Sequence, residues 1–597
     1  MRPLPPLHPT DADFAAIRAE GSFYVDKTGA LRALLATTST HRLATRHQFL
    51  ARPRRFGKTL LINTLEAWFQ GLPPGHVANP AGLTAQLDGM PAGWTSPAWL
   101  WAGLDAQDWH GVHGWHPVIR LDLSQLGRPD PAGTRAALRD YMEDRVWQWT
   151  ARDAPWSAPW PASLLASGPE RILRNLIQRL QDAYDRQPVV LVDEYDAPVV
   201  NHIGTDRSPD PAVAELREFI RVLKDDEGLL YGVFVTGITR FARHHLFSAA
   251  NNFVDISDEP GYGALCGFTE EEVDRYLAPY RARLAELEPG LDDAAIQTAW
   301  RDLYNGYRFS ELPSAPRVYN PYTLTNGVFR VLAEPDRRRA AADGAWPSAW
   351  SESGHPGLIA RLAADTRQAL PAGGAAAASN AGLGSLTRPD YATLMLETGY
   401  YTWHGGRDAG QAHLDFPNRE VAESWTRDIL GLGAHAPALD ETLVPDLRAC
   451  LATGDVDGFA GRLENFVFGI AHENLQQEAG YRALLQALFL LMSVRTQSES
   501  SNWGGRADHE VQVGNRVYVF EVKYNRSGDA ALRQIRDRRY GRQHLGTGRT
   551  VTAVGLAFRR DLETGPCLQV AQADLARLLT ADAEDVPRER RRPYPFG

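Results

Sequence analysis

The sequence is short of cysteine and lacks any long apolar run. Its three cysteines, Cys266, Cys450 and Cys567, lie far apart and form no CxxC pair. That excludes a disulfide framework and fits a reducing, cytoplasmic setting. The longest strongly apolar stretch, ALLQALFLLMSV, is too short to cross a bilayer and reads as a buried helix, so no membrane partner is expected. The opening residues, MRPLPPLHPTDADF, have no apolar h-region and do not read as a secretory signal. Positive charge is also in deficit. A formal net charge of −10 excludes a surface coated in positive charge for nucleic acid.

What remains is an ordinary globular composition, 44% hydrophobic and 23% charged, on a 597-residue chain too long for one core. The charge is uneven. From Arg516 to Arg560 there are 11 Arg/Lys against 3 Asp/Glu. A basic segment in an acidic chain reads either as a local polyanion site or as a solvated helix face.

Near the N-terminus, RHQFLARPRRFGKTLLINTLEAWF reads as strand, loop and helix. Gly57-Lys58-Thr59 stand where a phosphate-binding loop opens its helix: glycine for close backbone approach, lysine for the β/γ-phosphates, threonine for Mg²⁺. The first glycine of that motif is replaced by Arg52, and Arg55 adds a further cation to the loop. Both are expected beside the phosphates. The apolar strand VVLVDEYD, 135 residues beyond Lys58, ends in Asp193-Glu194. Asp193 suits the Mg²⁺ shell and Glu194 the polarisation of an attacking water. FVTGITRFAR then reads as a sensor strand with Arg240 aimed at the γ-phosphate, Arg243 competing for that role. Apolar strands alternating with amphipathic helices predict a parallel sheet covered on both faces. The proposed ligands are ATP and Mg²⁺.

From Cys266 the pattern turns helical, and LPAGGAAAASNAGLGS is a low-complexity loop. The boundaries expected are an ATPase domain over 1–262, a mainly helical lid over 263–445 and a third domain over 446–597. In that last domain, ADHEVQVGNRVYVFEVKYN reads as two antiparallel strands. Glu521 and Lys523 share a face with Val517 and Val519, opposite Tyr518, Phe520 and Val522. Asp508, opening the preceding strand, comes within reach of Glu521. Two carboxylates make a hard-oxygen site for Mg²⁺, and a lysine beside it orients a water for attack on phosphorus. Glu478, with Glu473 close by, sits on a helix able to complete the shell, and Gln534 on the next helix is placed to hold the water or the backbone. The helix RQIRDRRYGR offers Arg533, Arg536, Arg538 and Arg539 to a phosphate backbone; at helical spacing Arg536 and Arg539 share one face.

The segments FYVDKT, RPRRFGKTLL, HPVIRLDLS, VVLVDEYDAPV, VTGITRF, CGFTEEEV, YNGYRF, VYNPYTL, ETGYYT and FEVKYN occur in order from Phe23 to Asn525. With them the chain resembles a bacterial family in which an AAA-ATPase-like P-loop domain is fused to a PD-(D/E)XK nuclease-superfamily domain. The resemblance implies that the arginine-rich loop lacking a first glycine is usual. It also implies an α/β architecture: a P-loop NTPase parallel sheet with a helical lid region, followed by a restriction-endonuclease-like αβββαβ domain. The metal carboxylates then match Asp508 and Glu521, the lysine Lys523 and the helix acid Glu478. The chain departs from the pattern in SNWGGRADHEV, with an extra glycine and His509 where an apolar residue is usual, and in its Pro/Trp-rich and alanine-rich insertions.

The expected function is ATP binding and hydrolysis coupled to a Mg²⁺-dependent DNase, a pairing suited to defence against foreign DNA or its processing. Nucleic acid, with DNA preferred, is the expected partner, and a homo-oligomer is open. Two alternatives stand beside it: a nucleotide-driven switch whose nuclease fold only grips nucleic acid, and an RNA-directed nuclease.

Overall fold

The computed structural model describes residues 4–37, 43–73, 84–85, 87–92, 94–126, 133–152, 159–200, 202, 208–240, 252–350, 374–375, 391–404, 413–429, 443–468, 481–482, 484–485, 488–489, 492, 495–498, 501–502, 505–561 and 565–580. The chain divides into two compact units, Met1–Leu358 with Ala378–Arg407, and Ile359–Ala377 with Asp408–Gly597. Among the described residues no helix is long and apolar enough to cross a membrane.

The first unit is built on five parallel strands: β1 (His47–Ala51), β2 (Val118–Asp122), β3 (Val189–Asp193), β4 (Gly232–Gly237) and β5 (Val254–Asp255), in the order β2-β3-β4-β1-β5. Every residue of β1, β3 and β4 is buried, as a sheet covered on both faces requires. Helix α1 (Lys58–Gln70) follows β1 directly. Amphipathic α2 (Pro169–Tyr184) and α3 (Asp210–Asp225) precede β3 and β4. In α2, Ile172, Leu173, Leu176, Ile177 and Leu180 recur at helical spacing and all are buried.

Beyond the sheet come α4 (Glu270–Leu287), α5 (Asp293–Tyr304), α6 (Pro321–Ala333) and α7 (Tyr391–Thr398), all within the first unit. A reciprocal capping box of Thr269 and Glu272 starts α4, and the Asn320 side chain accepts from the Tyr322 and Thr323 N–H groups to start α6. Trp300, Tyr304, Leu324 and Val328 are buried in a core common to α4, α5 and α6.

The second unit holds helices α8 (Leu443–Thr453) and α9 (Val456–Phe468) and a five-stranded mixed sheet. Its strands β6 (Arg495–Ser498), β7 (His509–Val513) and β8 (Arg516–Tyr524) form an antiparallel meander. Helix α10 (Gly528–Arg538) then crosses over to β9 (Thr550–Asp561), parallel to β8, and β10 (Gly565–Asp574) returns antiparallel before α11 (Leu575–Thr580).

Two cores flank this sheet, and the alternation along β8 assigns one to each face. Tyr518, Phe520 and Val522 pack with α8 and α9, whereas Val517 and Val519 pack with Leu532 and Ile535 of α10. Helix α10 reaches the sheet closely at its start, because a Cβ on Gly555 would collide with the Gly528 carbonyl. Sequence reading leaves out β6, and it leaves out β10 as well. The alternation of Gln and Ala with Val in β10 is a weak strand signal, and β9 supplies its ten-residue pairing.

Candidate nucleotide and metal sites

The turn between β1 and α1 ends in Gly57, which caps the helix with φ +91°, a backbone that β-carbon-bearing residues rarely adopt. Arg55 shares the left-handed region at φ +66°, and its guanidinium lies 4.3 Å from the centroid of the Tyr322 ring. Lys58 is buried and its Nζ donates to the carbonyls of Arg52 and Pro53, 3.0 Å each. Those bonds hold the ammonium inside the loop.

Arg52 corrects the expectation drawn from sequence. It is 1% exposed, and its guanidinium donates to the carbonyls of Ala51, Ser257 and Tyr262. Its face also lies 4.2 Å from the Phe309 ring centroid. Burial lowers its pKa to about 10. This arginine fastens the β1 end to the 257–262 segment.

Asp193 ends β3, one strand removed from β1, with β4 between. It is 1% exposed and accepts from the Thr236 hydroxyl at 3.3 Å; the Thr59 side chain hydrogen-bonds it too. Burial raises its pKa, against the pull of Lys58 and Thr59. The two expected Mg²⁺-shell residues therefore meet directly. Arg120 of β2 stands 3.9 Å from Asp193 Oδ2. Glu194 follows at φ +47° and lines a cavity of 520 Å³ with Arg55, Gly57, Lys58 and Thr59. A helix N-terminus, a lysine and Thr59 around such a space, with Asp193 bonded to Thr59 behind it, fit a nucleoside triphosphate with its cation.

The far wall of that cavity comes from the N-terminal segment, including His8, Phe23, Val25 and Lys27. Lys27 is tied to Glu272 of α4 at 2.5 Å and to the Ala264 carbonyl at 3.0 Å. The motif FYVDKT carries Phe23, Val25 and Lys27, but a partner 245 positions away leaves no local signal.

Arg240 is a second correction. Its side chain is 12% exposed and ion-paired with Asp258, and it is not among the residues lining the cavity. Glu397 of α7 is buried nearby, its pKa raised to about 8 by burial and by the charges of Asp196 and Asp255, with Arg240 opposing. Arg243 lies outside the described residues. Sequence reading also missed Asp196, which is fully buried and accepts from the N–H groups of Ile238 and Thr239 and from the Thr239 hydroxyl.

In the second unit, the β7–β8 register pairs His509 with Phe520 and brings Asp508 beside Glu521. Asp508 Oδ2 accepts from the Val522 N–H at 2.8 Å. Lys523 Nζ donates to Glu521 Oε1 at 2.9 Å and to the Val522 carbonyl at 3.0 Å. All three side chains are buried. Burial raises the Glu521 pKa above the usual carboxylate range, with the Asp508 charge adding and Lys523 opposing. Glu521 Oε2 is buried with no hydrogen-bond partner among the described residues. An orphaned carboxylate oxygen beside a second carboxylate fits a hard divalent cation. Among the described residues no three His, Cys, Asp or Glu side chains group as a metal cluster. Glu478 and Glu473 lie outside the described residues.

Gln534 is half-buried on α10, the helix covering the face that carries Glu521 and Lys523. On the same helix, Arg533 pairs with Asp529 at 2.7 Å, and Arg536 donates twice to its neighbour Asp537. Arg539 caps the helix in the left-handed region at φ +54°, so it does not share a helical face with Arg536. His509, the departure from the family pattern, is buried and neutral, its pKa lowered to about 3 by burial.

Residues 11–75 and 98–247 match the family model described as Predicted AAA-ATPase, and residues 476–564 match that of the PD-(D/E)XK nuclease superfamily. Over 567 residues the chain is 28% identical to a protein of Azotobacter chroococcum mcd 1 described as "Uncharacterized protein in vnfD 5'region", covering 92% of this chain and 95% of that one. No solved structure matches. The chain thus carries an AAA-ATPase-like region followed by a PD-(D/E)XK nuclease-superfamily region, each containing one of the two sites described above.

Proposed function

We propose that this protein binds and hydrolyses ATP and is a Mg²⁺-dependent nuclease acting on DNA, in a setting such as the destruction or processing of foreign DNA. One observation carries the nuclease reading: Asp508, Glu521 and Lys523 converge, buried, at the same place on one sheet, with Glu521 Oε2 left without a partner among the described residues. A structural salt bridge would satisfy both oxygens.

Asp508 and Glu521 would hold the cation, which supplies Lewis acidity toward a phosphoryl oxygen and a more acidic water. Lys523, anchored by Glu521 Oε1 and the Val522 carbonyl, would orient that water and offset negative charge developing on the phosphoryl group. In the first unit, Lys58 and the N-terminal N–H groups of α1 would hold the phosphates, Thr59 and Asp193 the cation, and Glu194 the attacking water.

The test is a cleavage assay on the full chain with plasmid, linear duplex and RNA, in Mg²⁺ or EDTA, with and without ATP. Mg²⁺-dependent cutting of DNA is expected. Cutting of RNA alone, or nucleic-acid binding without cutting under any condition, would replace this reading with the RNA-directed or the switch alternative.

A further inference from the structure

The turn of chain that carries Arg482 is held firmly against the nuclease-like sheet. Tyr481 is buried, with its ring stacked on Phe558 at 4.1 Å and on Tyr524 at 5.5 Å between centroids. The Arg482 carbonyl lies 3.1 Å from His509 Nε2; because a carbonyl only accepts, the neutral ring donates from Nε2. His509 therefore has a place in the site: it pins the backbone of residue 482 to the start of β7.

From that fixed backbone the Arg482 guanidinium donates to Asp508 Oδ1 at 3.0 Å. The other oxygen, Oδ2, takes the Val522 N–H. Both oxygens of the candidate metal carboxylate thus already have donors, and one of those donors reaches solvent. The Arg482 side chain is 39% exposed, against 8% for Asp508. The charges also matter. Asp508, Glu521, Lys523 and Arg482 together sum to zero, a poor field for a divalent cation; withdrawing Arg482 leaves the site net negative.

We propose that Arg482 is an exchangeable counterion of the metal site: it competes with a divalent cation for Asp508 Oδ1, and on being displaced it takes a phosphate of the nucleic acid beside the metal. This rests on the metal-nuclease reading above. The guanidinium is suited to both partners, since its planar fork matches carboxylate and phosphate alike. Its exposure places it at the solvent side of the buried carboxylates, where a phosphodiester has to arrive. Arg482 is in this sense a positioning residue, acting through Asp508 before it meets the substrate.

The proposal separates two affinities that a merely structural arginine would move together. Calorimetric titration of the nucleotide-free full chain with Ca²⁺, followed by titration of a duplex oligonucleotide at saturating Ca²⁺, reads both. Arg482→Gln should tighten Ca²⁺ about tenfold by removing the competing charge. It should also weaken duplex binding several-fold and flatten the salt slope by about one unit, as expected for one lost phosphate contact. Arg482→Lys, which keeps the charge but not the fork, should stay near wild type for Ca²⁺ and fall between wild type and Arg482→Gln for the duplex. Unchanged or weaker Ca²⁺ binding in Arg482→Gln, or duplex affinity unchanged there, overturns the exchange. The reading beneath it fails differently: in that case wild type shows no Ca²⁺ binding that Asp508→Asn removes.

Discussion

The carboxylate of Asp196 is fastened to Thr239 twice, Oδ2 accepting both its N–H and its hydroxyl at 2.7 Å. A third bond, from the Ile238 N–H, meets the same oxygen at 3.0 Å. These contacts join the chain just past β3, the strand that ends in Asp193, to the chain just past β4. Asp196→Ala should therefore leave three buried donors unsatisfied and destabilise the first unit by about 3 kcal/mol or more. Urea denaturation measures the loss. A change below about 1 kcal/mol would mean that the two strand ends are held by something else.

Glu397 makes a prediction about pH. Its pKa is raised from 4.5 to about 8 by burial and by Asp196 and Asp255, with Arg240 opposing. A folded pKa above the unfolded one means that the native state holds the proton more tightly. The stabilising effect is fully present below about pH 4.5 and is lost as pH rises toward 8, at up to about 1.4 kcal/mol per unit. Glu397→Gln should remove this share of the slope and gain stability relative to wild type as pH rises from 5 to 8. Parallel denaturation curves for the two proteins across that window would refute the assignment.

Lys58 and Glu194 divide binding from chemistry. Lys58→Ala removes the cation placed at the phosphate end of the 520 Å³ cavity and should weaken ATP about 10–100-fold, the worth of a charge-assisted hydrogen bond. Glu194→Gln should still bind ATP but hydrolyse it about 10²-fold more slowly. Calorimetry and phosphate release test the pair. Wild-type affinity in Lys58→Ala would show that nucleotide binds elsewhere.

The parts of this architecture that were legible in the sequence are those with short-range causes. An apolar run ending in Asp193-Glu194, a glycine before Lys58 and a strict alternation from Val517 to Lys523 each announce a strand end, a helix start or a face. The misplaced arginines have long-range causes. Arg52 and Arg240 read as phosphate ligands because their neighbours in sequence are phosphate motifs. Their partners, Ser257, Tyr262 and Asp258, come from the segment that follows the two-residue strand β5, which is too short to read. Arg482 was silent for the same reason: its partner Asp508 is 26 positions away and on a different element.

The nuclease site predicts a clean separation of activities. Asp508→Ala and Glu521→Ala should abolish metal-dependent cleavage, and Lys523→Ala should lower it about 10²–10³-fold, the usual cost of removing one positioned charge stabiliser. ATP turnover should persist in all three, since these residues lie in the second unit and the nucleotide cavity in the first. Loss of turnover alongside cleavage would point to general misfolding, which circular dichroism of the same samples distinguishes from coupling.

The arginine-rich segment after β8 predicts a salt dependence that the ion pairs divide unequally. Arg536 is 16% exposed and chelates Asp537 through Nε and Nη2 at 2.9 and 2.7 Å, so it is already neutralised. Arg533 pairs with Asp529 one turn back. Arg538 and Arg539 are exposed, and the left-handed cap at Arg539 turns the chain away from the helix there. Each phosphate contact made by such a side chain releases a counterion, so binding weakens steeply with salt. Replacing Arg538 and Arg539 by Ala should lower duplex affinity for every sequence and flatten the plot of log affinity against log salt by about two units, while Arg536→Ala leaves the slope near wild type. A fluorescence titration at four salt concentrations decides between this and a solvated helix end. In the latter case the double variant keeps both the wild-type slope and the wild-type affinity, and the phosphate backbone must run along another face of the sheet.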